Sequence, residues 1–312
     1  MAQSEYRYEA GRLAGLEHRQ TGQQVAEYRY DYDRNGNRRA DTLITAGETR
    51  LTSYILDRDD RLTGIEAPEY RTVYTLDAVG NRQTETRTAA GSNVVQQNLV
   101  YQYNERDQLE ERHDLLAGQR TRYAYDVHGN LARESDPSRT VLYRHNAQDR
   151  LATLSLQGAP PSETTHYRYD SSGLRLDKRH TRHASRFHYD QGQLRGESNV
   201  LGETTAAYQY AAGHVLTEQR ANGTALHFLH DALRSPVRLI HPSGSAAGTR
   251  RFDAWGELES QGGVGTMVGF TGHYLDQESS QYYAQQRYYR QGVGRFLRAD
   301  PGPMFYERPI TL

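Results

Sequence analysis

The 312 residues contain no cysteine, so the chain has neither a disulfide framework nor thiolate chemistry, which suits folding in a reducing cytoplasm. Charge of one sign is missing too. The 38 basic and 39 acidic residues leave a net charge of −1, so no global field draws the chain to nucleic acid or a membrane surface. No apolar run approaches the roughly 18 residues of a membrane-spanning helix. Met1-Ala2-Gln3-Ser4-Glu5 does not open a cleaved leader. Apolar content is low, at 36 % with a mean hydropathy of −0.91, a balance that by itself suits a disordered chain.

What the sequence does contain reverses that impression. Twenty-four tyrosines argue for a folded β-protein, because tyrosine forms strands, buries its ring and keeps its hydroxyl wet. They recur in a pattern: an aromatic, a spacer, a second aromatic, an Asp, then Gly followed by Arg or Leu. Tyr30-Asp-Tyr32-Asp33 leads to Gly36 and Arg38, Tyr74-Thr-Leu76-Asp77 to Gly80 and Arg82, and Tyr123-Ala-Tyr125-Asp126 to Gly129 and Leu131. Counting weaker versions, twelve copies run from Tyr6 to Trp255, at intervals of 20 to 27 residues. A period of this size marks one supersecondary unit stacked many times. Aromatics at i and i+2 share one face of a strand, Asp closes an Asx-type turn, and Gly takes the positive φ. An alternating second run follows, so each copy reads as a β-hairpin, and twelve predict about two dozen antiparallel strands. The fold class is all-β. Gly64 to Pro68 and Gly158 to Pro161 read as longer loops that interrupt the period.

The stretch from Gly269 to Gly302 breaks the monotony. It reads Gly269-Phe270, Gly272, Tyr274, Asp276, Tyr282-Tyr283, Arg287-Tyr288-Tyr289, Gly294-Arg295-Phe296 and Asp300-Pro301-Gly302. The hairpin unit resembles the YD repeat of the rearrangement hotspot (Rhs) family, and this stretch is similar to the family's repeat-associated core. Insecticidal toxin complex C components and, distantly, teneurins share the resemblance. It implies an array of YD hairpins forming a curved sheet, part of a hollow β-shell that encloses a C-terminal toxin. It divides the chain into a repeat array (1–256), a core that caps the shell (257–302) and a divergent tail (303–312). It also implies self-cleavage that uses an Arg and two aspartates, of which Arg295 and Asp300 match the Arg and the first aspartate. The second aspartate motif is not found among these residues, Pro303 alters the spacing of the first, and the expectation is a shell piece without its toxin domain. The expectation is a structural, non-enzymatic shell fragment. A self-cleaving aspartyl protease fragment and a surface carbohydrate-binding module are the alternatives. The implied partners are an effector polypeptide, the remainder of a shell, and secretion-machinery spike proteins, with self-association through open sheet edges. The implied location is the cytoplasm before export without a cleaved leader. No cofactor is expected.

Other chemistry is thinly represented. A single aspartate cannot reproduce the proton sharing of an acid dyad, and Asp-Pro-Gly is otherwise a turn. His180 and His183, like His227 and His230, stand at i and i+3, which point to opposite faces of a strand, so no metal site is expected. Ser279-Ser280 lacks the glycines of a nucleophile elbow, and no phosphate-binding loop is present. Tyrosine rings on a polar sheet can stack on sugars, but cross-strand pairs that simply hold the sheet are the plainer reading.

Overall fold

The computed structural model describes residues 2–181 and 184–299. Twenty-four strands, from Ala2–Glu9 to Leu258–Gly263, hydrogen-bond into one sheet, and consecutive strands pair antiparallel. No α-helix occurs among the described residues; three single-turn 3₁₀ segments are the only helical pieces there. A separate four-stranded antiparallel sheet consists of Tyr274–Asp276, Gln281–Ala284, Arg287–Arg290 and Arg295–Phe296. Two compact units divide the described chain: 3–124 with 133–140, and 125–132 with 141–299. The all-β hairpin array read from the sequence is the architecture of both. Gly64 and its neighbours differ from the reading as a loop. They lie in the strand Leu62–Glu66, where Gly64 stands opposite Ile55 and Val73 and extends the ladder.

A recurring irregularity sets the faces of the strands. In hairpin after hairpin the register slips where the second strand leaves the turn: at Asp31/Tyr32, Thr75/Leu76, Arg144/His145, Arg168/Tyr169 and Gln209/Tyr210. Such a β-bulge adds one residue to one strand. In consequence the first residue of the second strand and the residue three places later share the buried face. Arg82 and Glu85, Leu151 and Leu154, and Arg175 and Lys178 are such pairs, although a regular strand would aim them apart.

In nine of the twelve copies the first aromatic is a core residue: Tyr30, Tyr74, Tyr101, Tyr123, Tyr143, Tyr167, Phe187, Tyr208 and Phe228 are buried, Tyr54 and Phe252 are half-buried, and Tyr6 is exposed. Several tyrosine hydroxyls are not wet, contrary to the sequence reading, because buried carboxylates accept from them. Tyr101 donates to Glu85 at 2.9 Å, Tyr54 to Asp41 at 2.8 Å and Tyr208 to Glu197 at 2.6 Å. Burial, then the neighbouring carboxylate, pushes the Tyr208 hydroxyl well above its ordinary pKa. Guanidinia complete this face: Arg38 lies 4.9 Å from the Tyr30 ring and Arg82 4.7 Å from the Tyr101 ring. The second aromatic has another task. Tyr32, Tyr103 and Tyr169 donate to the carbonyls of Leu13, Arg82 and Leu151, stitching each hairpin to the one before it.

The turns carry a second stitch. Asp33, Asp77 and Asp126 each accept from the backbone N–H of the Asn four residues on, as Asx-type closure requires. That Asn side chain then spans two turns. Asn37 donates to Asp33 and Asp60, Asn81 to Asp77 and Asp107, and Asn130 to Asp126 and Asp149, at 2.7–3.1 Å. The receiving Asp60, Asp107 and Asp149 hold positive φ in their own turns, the place that glycine fills in the donor turns. Two hairpins, one with a Gly-Asn turn and one with an Asp turn, are therefore the structural period in this part of the array.

Candidate functional site: the seat of the C-terminal sheet

The second unit contains both the hairpins from Val141 onward and the four-stranded sheet, and the sheet's side chains dock on the hairpins' buried face. Close approach dictates two of its glycines. A Cβ on Gly269 would lie 2.3 Å from the Tyr282 ring. Gly294, at φ +66°, would place one 2.7 Å from Trp255. Phe270 packs among Phe252, Tyr282 and Tyr289, while the Tyr289 hydroxyl donates to the Trp255 carbonyl at 2.8 Å. Arg287 lies 3.6 Å from the Phe296 ring.

At the centre of the seat are two side chains with 0 % exposure, Arg175 and Asp276. Their ion pair is completed by Lys178, which donates to Asp276 at 3.0 Å and to Glu278 at 3.1 Å. The Arg175 guanidinium also donates to the Tyr288 hydroxyl at 2.8 Å, and its backbone N–H to the Tyr283 hydroxyl at 2.8 Å. Rings enclose it: Phe187 and Tyr283 at 4.3 Å, Tyr274 at 5.4 Å and Tyr167 at 5.8 Å. Burial alone would push the Asp276 carboxyl up, but Arg175 and Lys178 outweigh it and hold the group below the usual carboxylate range. Burial likewise opposes charge on Arg175, and Asp276 more than restores it. The pair is thus held ionised in a dry setting, where breaking it is costly.

Two further contacts tie sheet to hairpins. Glu197 accepts from Tyr208 of the array and from Tyr274 of the small sheet, at 2.6 and 2.9 Å. Burial raises its pKa, and the two hydroxyls hold that rise in check. Tyr143 accepts from Gln281 at 3.1 Å and from Arg290 at 3.3 Å. The arrangement is a mechanical joint of charge, hydroxyl and ring contacts.

Of the residues singled out in the sequence, Gly269, Phe270, Gly272, Tyr274, Asp276, Tyr282, Tyr283, Arg287, Tyr288, Tyr289, Gly294 and Phe296 belong to this sheet or its lead-in, and most of their side chains form the seat. Arg295 sits half-buried in the last strand, opposite Arg290. Asp300, Pro301 and Gly302 lie outside the described residues, as does His183. The sequence reading missed the other half of the seat: Arg175, Lys178, Glu197 and Tyr143. Their signal was faint but present. At the second-strand positions three apart, other copies place an apolar pair (Leu151 with Leu154), an ion pair (Arg82 with Glu85) or an apolar residue with one charge (Leu131 with Glu134, Leu109 with Arg112), whereas this copy places two cations.

Comparison with known proteins agrees with this architecture. The teneurin YD-shell family model matches residues 53–308. The tRNA3(Ser)-specific nuclease WapA of Bacillus spizizenii is 30 % identical over 240 residues, covering 74 % of this chain and 10 % of that protein. Double-stranded DNA deaminase toxin A of Burkholderia cenocepacia is 26 % identical over 225 residues, covering 61 % of this chain and 16 % of that protein. Among solved structures, the Tc holotoxin pore of Photorhabdus luminescens matches 96 % of this chain and 20 % of its own, at 16 % identity and a TM-score of 0.43. The chain therefore spans only about a tenth to a sixth of the curated relatives it resembles. With the family model covering most of its length, the chain belongs to the YD-shell family, which includes the Rhs-type toxins.

Proposed function

We propose that this chain is a structural, non-enzymatic segment of an Rhs-type shell, whose hairpins wall in an effector polypeptide and whose small sheet caps that wall. The repeat array is taken as 1–256, the cap as 257–302 and the tail as 303–312. One observation carries the reading: the cap is anchored on the hairpins' buried face by a fully buried ion pair, Arg175 with Asp276, reinforced by Lys178. A joint of that kind suits a closure that must hold, and a side chain engaged in it is withheld from chemistry. The relatives' names, a tRNA nuclease and a DNA deaminase toxin, support an effector as cargo. Export by a type VI route with a spike protein, and a role in competition between cells, belong to the same proposal.

The test is protection. A disordered reporter of about 80 residues (within the size of a small domain) is fused after Leu312, and separately before Met1, and both fusions are treated with trypsin. The reading expects the C-terminal reporter to survive markedly longer; equal digestion of the two sinks it. Intact mass spectrometry separates the protease reading, for which a new terminus near Met304 would appear and vanish in Asp300→Asn. The strand Ala2–Glu9 leaves Tyr8 63 % exposed, whereas its counterparts in later hairpins are covered, so association through this edge belongs to the proposal. Sedimentation as a monomer at all concentrations would contradict it.

A further inference from the structure

Beside the last described residues of the second unit is a small cavity lined by His145, Asp149, Arg150, Tyr169, Arg287 and Arg298, among others, and partly open to solvent. Three arginines line it, and Asp149 is the single carboxylate in its lining. That carboxylate is already engaged: one of its oxygens accepts from His128 at 2.7 Å and from Asn130 at 2.9 Å. The rim is rigid. Leu297 donates to the Tyr288 carbonyl at 2.9 Å and accepts from the Leu131 N–H at 3.0 Å. Arg298 is fastened to the Gln286 carbonyl at 2.8 Å.

Two polar atoms of the lining residues are unused. Arg150 Nε and His145 Nδ1 are buried and find no hydrogen-bond partner among the described residues. Burial, with Arg150 and Arg287 as like charges, lowers the Arg298 pKa despite the opposing pull of Asp149. Guanidinium cannot shed its proton at ordinary pH, so a bound anion would relieve such a cluster where deprotonation cannot.

We propose that this cavity is an oxyanion site: it takes one oxygen of a carboxylate or phosphate, with Arg150 and Arg298 as the charged donors and His145 at its wall. A carboxylate carried on a polypeptide and free phosphate share this chemistry, and guanidinia suit both. The cavity is small and open on one side, so the remainder of the anion would lie in the mouth.

The experiment titrates the full chain at low ionic strength with inorganic phosphate and, separately, with N-acetyl-aspartate amide. Calorimetry reads the binding, and the imidazole resonances of His145 report its place. At least one probe is expected to bind at a single saturable site, to shift His145, and to weaken with added salt as screening shortens to about 8 Å at 0.15 M. Arg150→Gln with Arg298→Gln should weaken binding about tenfold or more, while Arg120→Gln with Arg122→Gln, exposed and in the other unit, should leave it unchanged. Binding of phosphate alone identifies a free-anion site, and preference for the aspartate amide identifies a polypeptide carboxylate. The proposal is overturned if neither probe saturates, or if binding survives in the first double variant. Should that variant not fold, the parent chain alone still decides, because titration that leaves His145 unmoved also refutes the site.

Discussion

The hairpin of Arg82 and the hairpin of Arg175 start from the same pattern and are completed in opposite ways. Both place an arginine first on the second strand, above the tyrosine eight residues earlier. In the first, Glu85 stands three residues on and pairs with Arg82 at 3.0 Å, so the hairpin neutralises its own buried charge. In the second, the same place holds Lys178, and the neutralising carboxylate arrives from Asp276, 101 residues later than Arg175. A self-sufficient repeat only continues the sheet; a repeat left with two cations makes a seat. One residue at one bulge separates the two outcomes.

The largest effect should come from removing the shared carboxylate. Asp276→Asn leaves the buried Arg175 without its anion and Lys178 with Glu278 alone, and should cost about 3–5 kcal/mol in chemical denaturation. Its counterpart, Arg82→Leu with Glu85→Leu and Tyr101→Phe, removes both charges and the hydroxyl that Glu85 accepts from, and should fall within about 1 kcal/mol of the parent, or above it. Equal losses from the two would break the comparison.

A second contrast lies in the turns. Asp126 and Asp253 both open a D-x-x-G turn. Burial pushes Asp126 up, but the Asn130 amide and backbone donors bring its pKa below the usual range. Asp253 is followed by Glu257 where Asn would stand, and burial, with the nearby Glu257 and Glu259, pushes it up to about 7. An acid whose folded pKa is raised stabilises fully below its unfolded pKa, and that share is lost as pH rises through the folded value. The parent should therefore lose up to about 4 kcal/mol between pH 4 and pH 8 from this group. Asp253→Asn should flatten that part of the stability profile, and Glu257→Asn should lower the Asp253 titration midpoint. An unchanged profile in Asp253→Asn would show that the group is not the source.

Lys178→Glu sharpens the first comparison by turning one hairpin type into the other. Arg175 gains a local acid, while Asp276 loses a partner and faces a like charge. Amide exchange in Tyr274–Asp276 and Gln281–Ala284 should accelerate about 10- to 100-fold, a change of about 1–3 kcal/mol, with the strands Thr165–Tyr169 and Arg175–Arg179 less affected. Uniform acceleration across the unit would instead mean that the hairpin itself has failed. The smallest effect belongs to the turn ladder, where Asn81→Ala removes two side-chain bonds and should lower the thermal midpoint by the equivalent of about 1 kcal/mol.

The period, the hairpins and the all-β class were legible because they rest on neighbours in sequence: aromatics two apart, then Asp, then Gly. The members of the small sheet were legible for the same reason, since Tyr282, Tyr283, Tyr288 and Tyr289 cluster along the chain. The bulge was not, because a slip in register leaves no residue type behind it. Without the bulge, Arg175 and Lys178 appear to face opposite ways, and the pair that Asp276 needs stays hidden. The fate of the tyrosine hydroxyls was misjudged for a related reason: Glu197 and Tyr208 belong to different strands, and only pairing brings them to 2.6 Å.

By itself, then, the sequence determined the unit and its repetition, because backbone preference and turn chemistry act over a handful of residues. Which carboxylate neutralises which buried cation was decided only by the tertiary structure. Charges in a dry interior answer to distance in space, and Asp276 comes close to Arg175 only once the hairpins and the small sheet have folded against each other.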